Sequence, residues 1–370
     1  MSVQQVLVIG GRGRVGQGVV ADLLAHTTAR ITITGRTPGS AVDLHPEEER
    51  INYRVLDLAD EEKLKQTIAT HNLVIHCAGP FRYRDVRVLK TCIEQGVNYL
   101  DVSDDRAFTQ KALQYRQIAE TAGVTAIINT GVFPGISTSM ARQGVEHFDR
   151  PEEIHLRYGV AGSGGAAATV MQTTFLSLQT PFSIWLDGRW QEVKPYTGRE
   201  IVELPAPFGK TGTYWFDLPE SLTLVEAFAV KTVAVKFGSV PDFYNHMTWM
   251  VANWFPAPLL QSPTFVSGLS RISHTMTSVS DRFSGTGIAM RVEVRGQKAN
   301  QPIRYIATFS HRDAATATGM GAGLIAQFIL SEALRKPGVW SVEQFLPTHL
   351  FEQAMQERGI IIQQEWLLGH

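Results

Sequence analysis

Residues 6–36 read VLVIGGRGRVGQGVVADLLAHTTARITITGR, and this stretch decides the fold of the first part of the chain. The opening VLVI is a continuous apolar run, typical of a strand that is buried on both faces. Gly11, Gly13 and Gly16 follow in the spacing G-x-G-x-x-G, and apolar residues then recur at helical intervals. This order predicts a strand, a tight turn and a helix.

The glycine spacing predicts that the turn binds phosphate. In such a turn the first glycine permits the bend, the second lets the backbone approach a diphosphate, and the third lets the helix pack closely on the strand. The helix predicted to begin near Arg14 and Val15 would direct its free N–H groups and the positive end of its dipole towards the phosphates. A second apolar strand at residues 30–34 completes the βαβ unit of a dinucleotide-binding fold.

The end of the second strand indicates which dinucleotide binds. NAD-binding versions of this unit place an Asp or Glu about 20 residues past the glycines, where it accepts hydrogen bonds from the ribose 2′-OH. Here the chain reads Gly35-Arg36-Thr37 instead. Gly35 leaves room, the Arg36 guanidinium suits a phosphate, and Thr37 adds a hydroxyl. Arg12 could cover the same phosphate or the adenine face. We therefore predict NADP(H), with a solvated loop position for Arg36 as the alternative.

Composition and charge are those of an ordinary globular protein. The 370 residues fit two domains, and neither the hydrophobic content of 44% nor the charged content of 19% indicates a disordered or fibrous chain. The formal net charge of -1 gives no general attraction for nucleic acid. The 11 histidines are scattered without metal-ligand spacing, so we expect no metal.

Cysteine content and hydropathy predict the compartment. Cys77 and Cys92 are too few for a disulfide framework, which favours a reducing cytoplasm. The first strand starts almost at the N-terminus, which leaves no room for a signal peptide. No apolar run reaches the roughly 18 residues of a membrane-spanning helix. We therefore expect a cytoplasmic protein without a membrane span.

Six apolar segments alternate with helical patterns in the first part of the chain and predict a doubly wound parallel sheet. The third segment ends at Asp57 and Leu58, and the fourth is followed by Ala78-Gly79-Pro80-Phe81. Both positions would lie at the carboxyl edge of the sheet, where a dinucleotide binds. Asp57 could hold the adenine amino group, or it could cap the helix that starts at Asp60. We predict a Rossmann domain over residues 1–133 with these residues among its cofactor contacts.

Three segments together carry a family resemblance. They are GGRGRVG at 10–16, HCAGPF at 76–81 followed by a helix and NYLDVSDD at 98–105, and NTGVFPGIS at 129–137. In their order and spacing they resemble the saccharopine dehydrogenase-like family of NADP-dependent oxidoreductases. The match covers about the first 140 residues well and the last 50 loosely.

The resemblance implies roles for particular residues. Gly79, Pro80 and Phe81 would line the cofactor crevice, and Asp101 and Ser103 would lie near the nicotinamide ribose or the substrate. It also implies a small-molecule substrate and a second domain for substrate binding and dimerisation, hence a homodimer.

The hydrophobic pattern of the sequence changes at about residue 154. Short alternating segments follow, one of them at Thr223 to Val230, and glycines and prolines separate them. They predict a mixed or antiparallel sheet and an α+β domain over residues 134–318. A helix near residues 319–334 and the segments after it, up to residue 370, are expected to return to the first domain.

Hydride transfer belongs to the nicotinamide, so the protein must position the substrate and handle a proton. Three residues are candidates for the catalytic role: Asp101, His311 and Tyr158. His311 ends a predicted strand, and histidine is a residue type suited to acid–base chemistry. The alternatives are that Asp101 caps the following turn and that His311 is a surface loop residue.

These features favour an NADP(H)-dependent oxidoreductase that reduces a C=N or C=O bond. An enoyl or ketone reductase for an apolar substrate is the first alternative. It is favoured by Ser137, Thr138 and Ser139, which stand where family members acting on amino acids often have an acidic residue and a histidine. The aromatic stretch 243–255 also favours it as an apolar wall, although that stretch could equally be a core helix with a dimer contact. The second alternative is a redox-silent NADP-binding regulatory protein.

Overall fold

The computed structural model describes residues 3–37, 49–162, 172, 174–178 and 180–368. The sequence also predicts a polar loop over residues 37–50 and a helix from residue 166, and both lie mostly outside these ranges. The chain forms two compact units, one of Met1–Ile136 with Ala315–Pro347 and one of Ser137–Ala314 with Thr348–His370.

A seven-stranded parallel sheet forms the first unit. Six of its strands come in chain order, namely β1 Gln5–Ile9, β2 Arg30–Gly35, β3 Ile51–Val55, β4 Leu73–His76, β5 Asn98–Asp101 and β6 Thr125–Ile128. Across the sheet, the strand Gly338–Ser341 is followed by β6, β5, β4, β1, β2 and β3. The predicted Rossmann sheet is confirmed. Its seventh strand, Gly338–Ser341, was not predicted.

The helices of the first unit cover the sheet. They are α1 Arg14–His26, α2 Glu61–Ile68, α3 Arg87–Glu94, α4 Arg106–Leu113 and α5 Arg116–Thr121, followed late in the chain by Ala314–Leu330 and Val342–Phe345. The β1 residues Val6, Leu7 and Val8 are 0% exposed, as the continuous apolar run predicts. The side chain of Asp60 caps α2 by accepting a hydrogen bond from the Lys63 N–H at 3.0 Å.

The late helix Ala314–Leu330 packs on α1 through glycines. A Cβ placed on Gly319 would lie 2.2 Å from the carbonyl carbon of Gly18, and one on Gly18 would lie 2.6 Å from the Ala315 oxygen. One turn further, a Cβ on Gly323 would lie 2.0 Å from a carboxylate oxygen of Asp22. The two helices therefore meet backbone to backbone, and the small residues in this helix are required by that contact.

The second unit is built on a nine-stranded mixed sheet. Its strands are Arg150–Ala161, Phe182–Leu186, Arg189–Val193, Glu200–Leu204, Gly209–Trp215, Thr232–Val240, Gly287–Lys298, Gln301–His311 and Gln363–Leu368. Arg150–Ala161 runs parallel to Thr232–Val240, and the other pairs are antiparallel. The mixed sheet was predicted. The described residues form six further helices, Ile136–Val145, Glu220–Ala227, Phe243–Trp254, Ala257–Gln261, Pro263–Ser284 and Thr348–Glu357.

Two sequence-based expectations differ from the structure here. Thr223 to Val230 was expected as a strand, but most of it lies in the helix Glu220–Ala227, where Glu220, Thr223 and Leu224 share a buried face at helical spacing. The C-terminal segment was expected to return to the first domain. In the structure Thr348–His370 belongs to the second unit, because Gln363–Leu368 pairs antiparallel with Gln301–His311.

The glycine contact between the two helices should contribute to the stability of the folded protein. We expect Gly319→Ala to lower the free energy of unfolding by about 1–3 kcal/mol, since the new methyl group overlaps the α1 backbone and the overlap outweighs the gain in helix propensity. Denaturant unfolding followed by circular dichroism measures the change.

Gly268→Ala is the matched control. Gly268 also lies in a helix, and a Cβ there would meet no described atom within 4 Å. This substitution should be neutral or stabilise by up to about 1 kcal/mol. Equal stabilities of the two variants would mean that the helices do not touch at Gly319.

Candidate functional site

The turn after β1 is closed by backbone contacts that exclude side chains. A Cβ on Gly16 would lie 2.4 Å from the Gly10 oxygen and 2.6 Å from the Gly11 Cα. A Cβ on Gly11 would lie 2.7 Å from the Ile33 Cβ of β2, and Gly10 has a φ of +80°. The glycines predicted to shape a phosphate-binding turn are thus required by the geometry of this turn.

The start of α1 is suited to an anion. Gly13 is its N-cap and has no side chain to cap the helix, and the first turn contains no acidic residue. The Gly13 N–H donates to the Gly10 oxygen at 2.9 Å, which folds the turn beneath Arg14 and Val15. Helix N–H groups and the positive end of the dipole are therefore directed to the carboxyl edge of the sheet, where a diphosphate fits.

The segment after β2 gathers polar groups around Gly35. A Cβ on Gly35 would lie 2.8 Å from the Tyr53 hydroxyl and 3.2 Å from the Arg12 Cδ. The Arg12 guanidinium lies 5.5 Å from the centre of the Tyr53 ring, and the Tyr53 hydroxyl donates to the Thr37 carbonyl oxygen. Arg36 is exposed next to them. Tyr53 was not predicted as a site residue, although its place in β3 beside β2 was a usable signal.

Asp57 and Leu58 follow β3. The Asp57 carboxylate accepts a hydrogen bond from the Ala59 N–H at 3.0 Å, whereas the cap of α2 is supplied by Asp60. This decides against Asp57 as the helix cap. Leu58 is partly buried and packs on the core of the first unit. Contact of either residue with adenine stays a prediction.

The loop Ala78-Gly79-Pro80-Phe81 begins directly beside the glycine turn. A Cβ on Gly10 would lie 3.0 Å from the backbone N and Cα of Ala78. The Phe81 ring is buried, with its centre 5.0 Å from the rings of both His76 and Phe108. Phe81 therefore anchors the loop in the core, which leaves the backbone of Ala78, Gly79 and Pro80 as the part of the loop that could line a cofactor.

Asp101 ties two loops together at the ends of β5 and β6. It is 0% exposed, and its Oδ1 accepts the N–H groups of Ser103 and Asn129, each at 3.0 Å. The Asn129 side-chain amide donates to the Ser103 carbonyl oxygen at 2.8 Å and to the Thr109 hydroxyl at 2.9 Å. Ser103 is also 0% exposed. This geometry gives Asp101 a positioning role, and its catalytic role stays a prediction.

The alternative for Asp101, capping of the following turn, is present in the structure as the bond from the Ser103 N–H to Asp101 Oδ1. Helix α4 has its own cap in Asp105, which accepts the Phe108 N–H at 2.8 Å. Burial raises the pKa of Asp101 to about 6, against the opposing effect of its two backbone hydrogen bonds.

His76, the last residue of β4, is a buried polar residue that the sequence analysis missed. Its Nδ1 lies 3.3 Å from the Tyr99 hydroxyl, and its ring is enclosed by the rings of Phe81, Tyr99 and Phe108. Burial, and after it the charge of Arg84, lower the pKa of His76 to about 3. The imidazole is therefore neutral at physiological pH and supports the loop that follows β4.

Tyr158 and His311, the other two catalytic candidates, lie in the second unit. Tyr158 is 0% exposed and its hydroxyl donates to the Glu220 carboxylate at 2.8 Å, which is the environment of a structural core residue. His311 is partly exposed, and its Nδ1 lies 3.1 Å from the backbone N–H of Asp313. The catalytic assignment of both residues stays a prediction. The aromatic helix Phe243–Trp254 is also in this unit, with Phe243 59% and Trp254 69% exposed.

Among the described residues, no group of three or more His, Cys, Asp or Glu side chains is arranged to hold a metal ion. Within the same ranges, none of the helices has the length and apolar character needed to cross a membrane.

The parallel sheet and the glycine turn at its carboxyl edge define the class as a Rossmann-type dinucleotide-binding oxidoreductase fold. Residues 6–127 match the family model described as the saccharopine dehydrogenase NADP binding domain. The resemblance to the saccharopine dehydrogenase-like family noted in the sequence is confirmed over this domain.

Similar proteins extend the comparison to the whole chain. The carboxynorspermidine synthase of Vibrio cholerae is 24% identical and aligns over 92% of this chain and 93% of its own length. The carboxyaminopropylagmatine dehydrogenase of Synechocystis sp. is 26% identical over 52% of each. The homospermidine synthase of Legionella pneumophila, solved with NAD, has a TM-score of 0.66 at 11% identity and covers 99% of this chain and 92% of its own. That structure shows a shared fold, and the relatives are enzymes with a nicotinamide dinucleotide domain.

The buried carboxylate of Asp101 should make the free energy of unfolding depend on pH. Its folded pKa of about 6 exceeds the ordinary Asp value, so protonation favours the folded state and this contribution is lost as pH rises from about 4 to about 6. Asp101→Asn keeps an oxygen that accepts the two N–H bonds and removes the titration. Relative to the variant, the wild type should therefore lose about 3 kcal/mol of unfolding free energy across this interval.

Denaturant unfolding of both proteins at closely spaced pH values measures the difference. Asp104 also has a pKa raised to about 6 by burial, so Asp104→Asn is the control that separates the two carboxylates. Parallel curves for wild type and Asp101→Asn would show that Asp101 is not buried as described.

Proposed function

We propose that this protein is an NADP(H)-dependent oxidoreductase that transfers a hydride to a C=N bond of a small substrate. The observation that carries the cofactor assignment is the replacement of the usual carboxylate after β2 by Arg36, next to a Gly35 enclosed by Arg12 and Tyr53. A carboxylate at this position would repel a 2′-phosphate, whereas guanidinium groups bind it with charge-assisted hydrogen bonds.

Support for a C=N substrate comes first from the relatives. Proteins named carboxynorspermidine synthase and carboxyaminopropylagmatine dehydrogenase act in polyamine synthesis, and the first aligns over nearly the whole chain. We infer a substrate of the same chemical class, an imine formed between a primary amine and a carbonyl compound.

The protonation chemistry also favours C=N over C=O. An imine made from an ammonium group carries a proton on its nitrogen as the iminium ion, so hydride addition at carbon gives the secondary amine directly. A ketone needs a proton on oxygen from a donor within hydrogen-bond reach. Of the three predicted donors, Tyr158 is fully buried and bonded to Glu220, and Asp101 is fully buried with its Oδ1 bonded to two backbone N–H groups. Reduction of an iminium ion therefore depends less on these proton donors than reduction of a ketone does.

The bound cofactor supplies the hydride from the nicotinamide ring. This chain's own residues hold it. The backbone of the Gly10–Gly16 turn and the start of α1 would bind the diphosphate, and Arg36 with Arg12 and Thr37 would bind the adenosine ribose and its phosphate. In the balanced reaction, the iminium carbon gains the hydride, the C=N π bond becomes the nitrogen lone pair, and NADP⁺ is released.

Arg36→Asp tests the cofactor assignment. A carboxylate at this position should repel the 2′-phosphate and accept hydrogen bonds from a free 2′-OH, so the affinity for NADPH should fall by about tenfold or more while that for NADH rises. Titration of protein fluorescence with each cofactor gives the two dissociation constants.

The control is Arg30→Asp, an exposed arginine at the opposite end of the same strand. It should leave both dissociation constants unchanged. An unchanged NADPH affinity in Arg36→Asp would show that Arg36 does not bind the 2′-phosphate.

The substrate class is tested by NADPH oxidation with three sets of compounds. We expect turnover when an aldehyde and a primary diamine are present together, and none with the aldehyde alone or with an enone. Turnover of the aldehyde or the enone without amine would instead support the ketone or enoyl reductase alternative. A folded protein that binds NADPH but oxidises it with none of these compounds would support the regulatory alternative.

The homodimer and the cytoplasmic location stay predictions from the sequence and the resemblance. The proposed reaction requires neither.

A further inference from the structure

Arg84 is a half-buried arginine at the carboxyl edge that neither the glycine motif nor the family resemblance singles out. It follows the short helix Phe81–Tyr83, and its Nε donates to the Ala78 carbonyl oxygen at 2.8 Å. Ala78 in turn lies against Gly10 of the glycine turn. The guanidinium is thus fixed to the loop that borders the diphosphate position.

Among the described residues, no carboxylate forms an ion pair with Arg84. Asp85 is taken by Arg87, whose Nε and Nη2 lie 2.9 Å and 2.8 Å from its two oxygens. Asp57 and after it Asp85 attract the charge of Arg84, and Asp57 Oδ1 already accepts the Ala59 N–H. Within the described residues, the bond to Ala78 is the hydrogen bond that the Arg84 guanidinium makes, so Nη1 and Nη2 remain to bind an anion.

Arg84 and Arg36 come from different loops, and their charges act on each other, since burial and after it the like charge of Arg36 lower the pKa of Arg84. Like charges repel, and an anion placed between two guanidinium groups relieves the repulsion. Arg36 stands at the end of β2, where the adenosine ribose of a dinucleotide lies. The segment of Arg84 reaches the same side of the sheet edge, because Arg87 donates from Nη1 to the Leu58 carbonyl oxygen after β3 at 3.2 Å, and β3 pairs with β2.

We propose that Arg84 binds the 2′-phosphate of NADP(H) together with Arg36, and that it is a second determinant of cofactor selectivity. This inference rests on the proposed NADP(H) function. Arg36 is exposed and adjustable, whereas Arg84 is held by its Nε and presents its two terminal nitrogens in a fixed fork.

The test measures binding without turnover. Arg84→Gln and wild type are titrated with NADPH, NADH, adenosine 2′,5′-bisphosphate and 5′-AMP, with calorimetry as the readout. Loss of one guanidinium contact should weaken NADPH and the bisphosphate by about tenfold or more and leave NADH and 5′-AMP within about twofold. The loss should shrink as salt is raised, because the contact is between charges near the surface.

Arg82→Gln is the matched control. Arg82 lies two residues earlier, and its guanidinium is 3.8 Å from the Asp105 carboxylate. It should leave all four affinities unchanged. Arg84→Lys keeps the charge but loses the planar fork and the Nε bond, so an NADPH affinity between wild type and Arg84→Gln is expected, and this variant decides the question if Arg84→Gln does not fold.

The outcomes separate this inference from the proposed function. Equal weakening of NADPH and NADH in Arg84→Gln would mean that Arg84 stacks on adenine or only supports the loop, and the inference would fall. The same holds if wild type prefers NADPH, Arg36→Asp removes the preference and Arg84→Gln does not change it. A wild type that binds NADH as tightly as NADPH would overturn the proposed function itself.

Discussion

The close approach of backbone to backbone at Gly16 is the constraint on which the site depends. With 2.4 Å between a Cβ at this position and the Gly10 oxygen, helix α1 can meet the turn only without a side chain. The same helix is held on another side by the contact of Gly18 with Gly319. Because both contacts fix α1 against the sheet, they also fix where its N–H groups and its dipole point. The diphosphate position is thus set by the fold and needs no side chain.

The carboxyl edge of the sheet has two chemically different ends. At the β2 and β3 end, Arg12 and Arg36 stand near solvent, where charge can select between cofactors that differ by one phosphate. At the β5 and β6 end, Asp101, Ser103 and Asn129 are buried and joined by hydrogen bonds, so that end is rigid. Buried polar networks fix geometry through the bonds that are made, and here Asp101 Oδ2 and Asn129 Oδ1 have no hydrogen-bond partner among the described residues. Substitutions at the first end should therefore change affinity, and those at the second should change stability.

The sequence predicted the parts of the fold whose signals are local. Continuous apolar runs revealed β1 to β6, and the glycine spacing revealed the turn, because both patterns follow from the contacts of one segment. Tyr53 and His76 were missed because their roles come from neighbours distant in sequence, Arg12 in one case and Phe108 in the other. The helix at Glu220–Ala227 was read as a strand because eight residues rich in apolar and β-branched types fit both periods. Likewise, the pairing of Gln363–Leu368 with a strand some 60 residues earlier has no local signature.

The same distinction applies to the chemistry. Residue type alone made Asp101 and Tyr158 plausible proton donors, but type says nothing about what already occupies their oxygen atoms. Asp101 Oδ1 accepts two backbone N–H groups, whereas its Oδ2 has no hydrogen-bond partner among the described residues. The Tyr158 hydroxyl donates to Glu220, and neither side chain has exposed surface. Withdrawing either from its partners would leave a buried polar group unpaired, at a cost of about 1–3 kcal/mol each. A reaction whose substrate brings its own proton avoids that cost. This is the physical reason to favour an iminium substrate over a ketone for this chain.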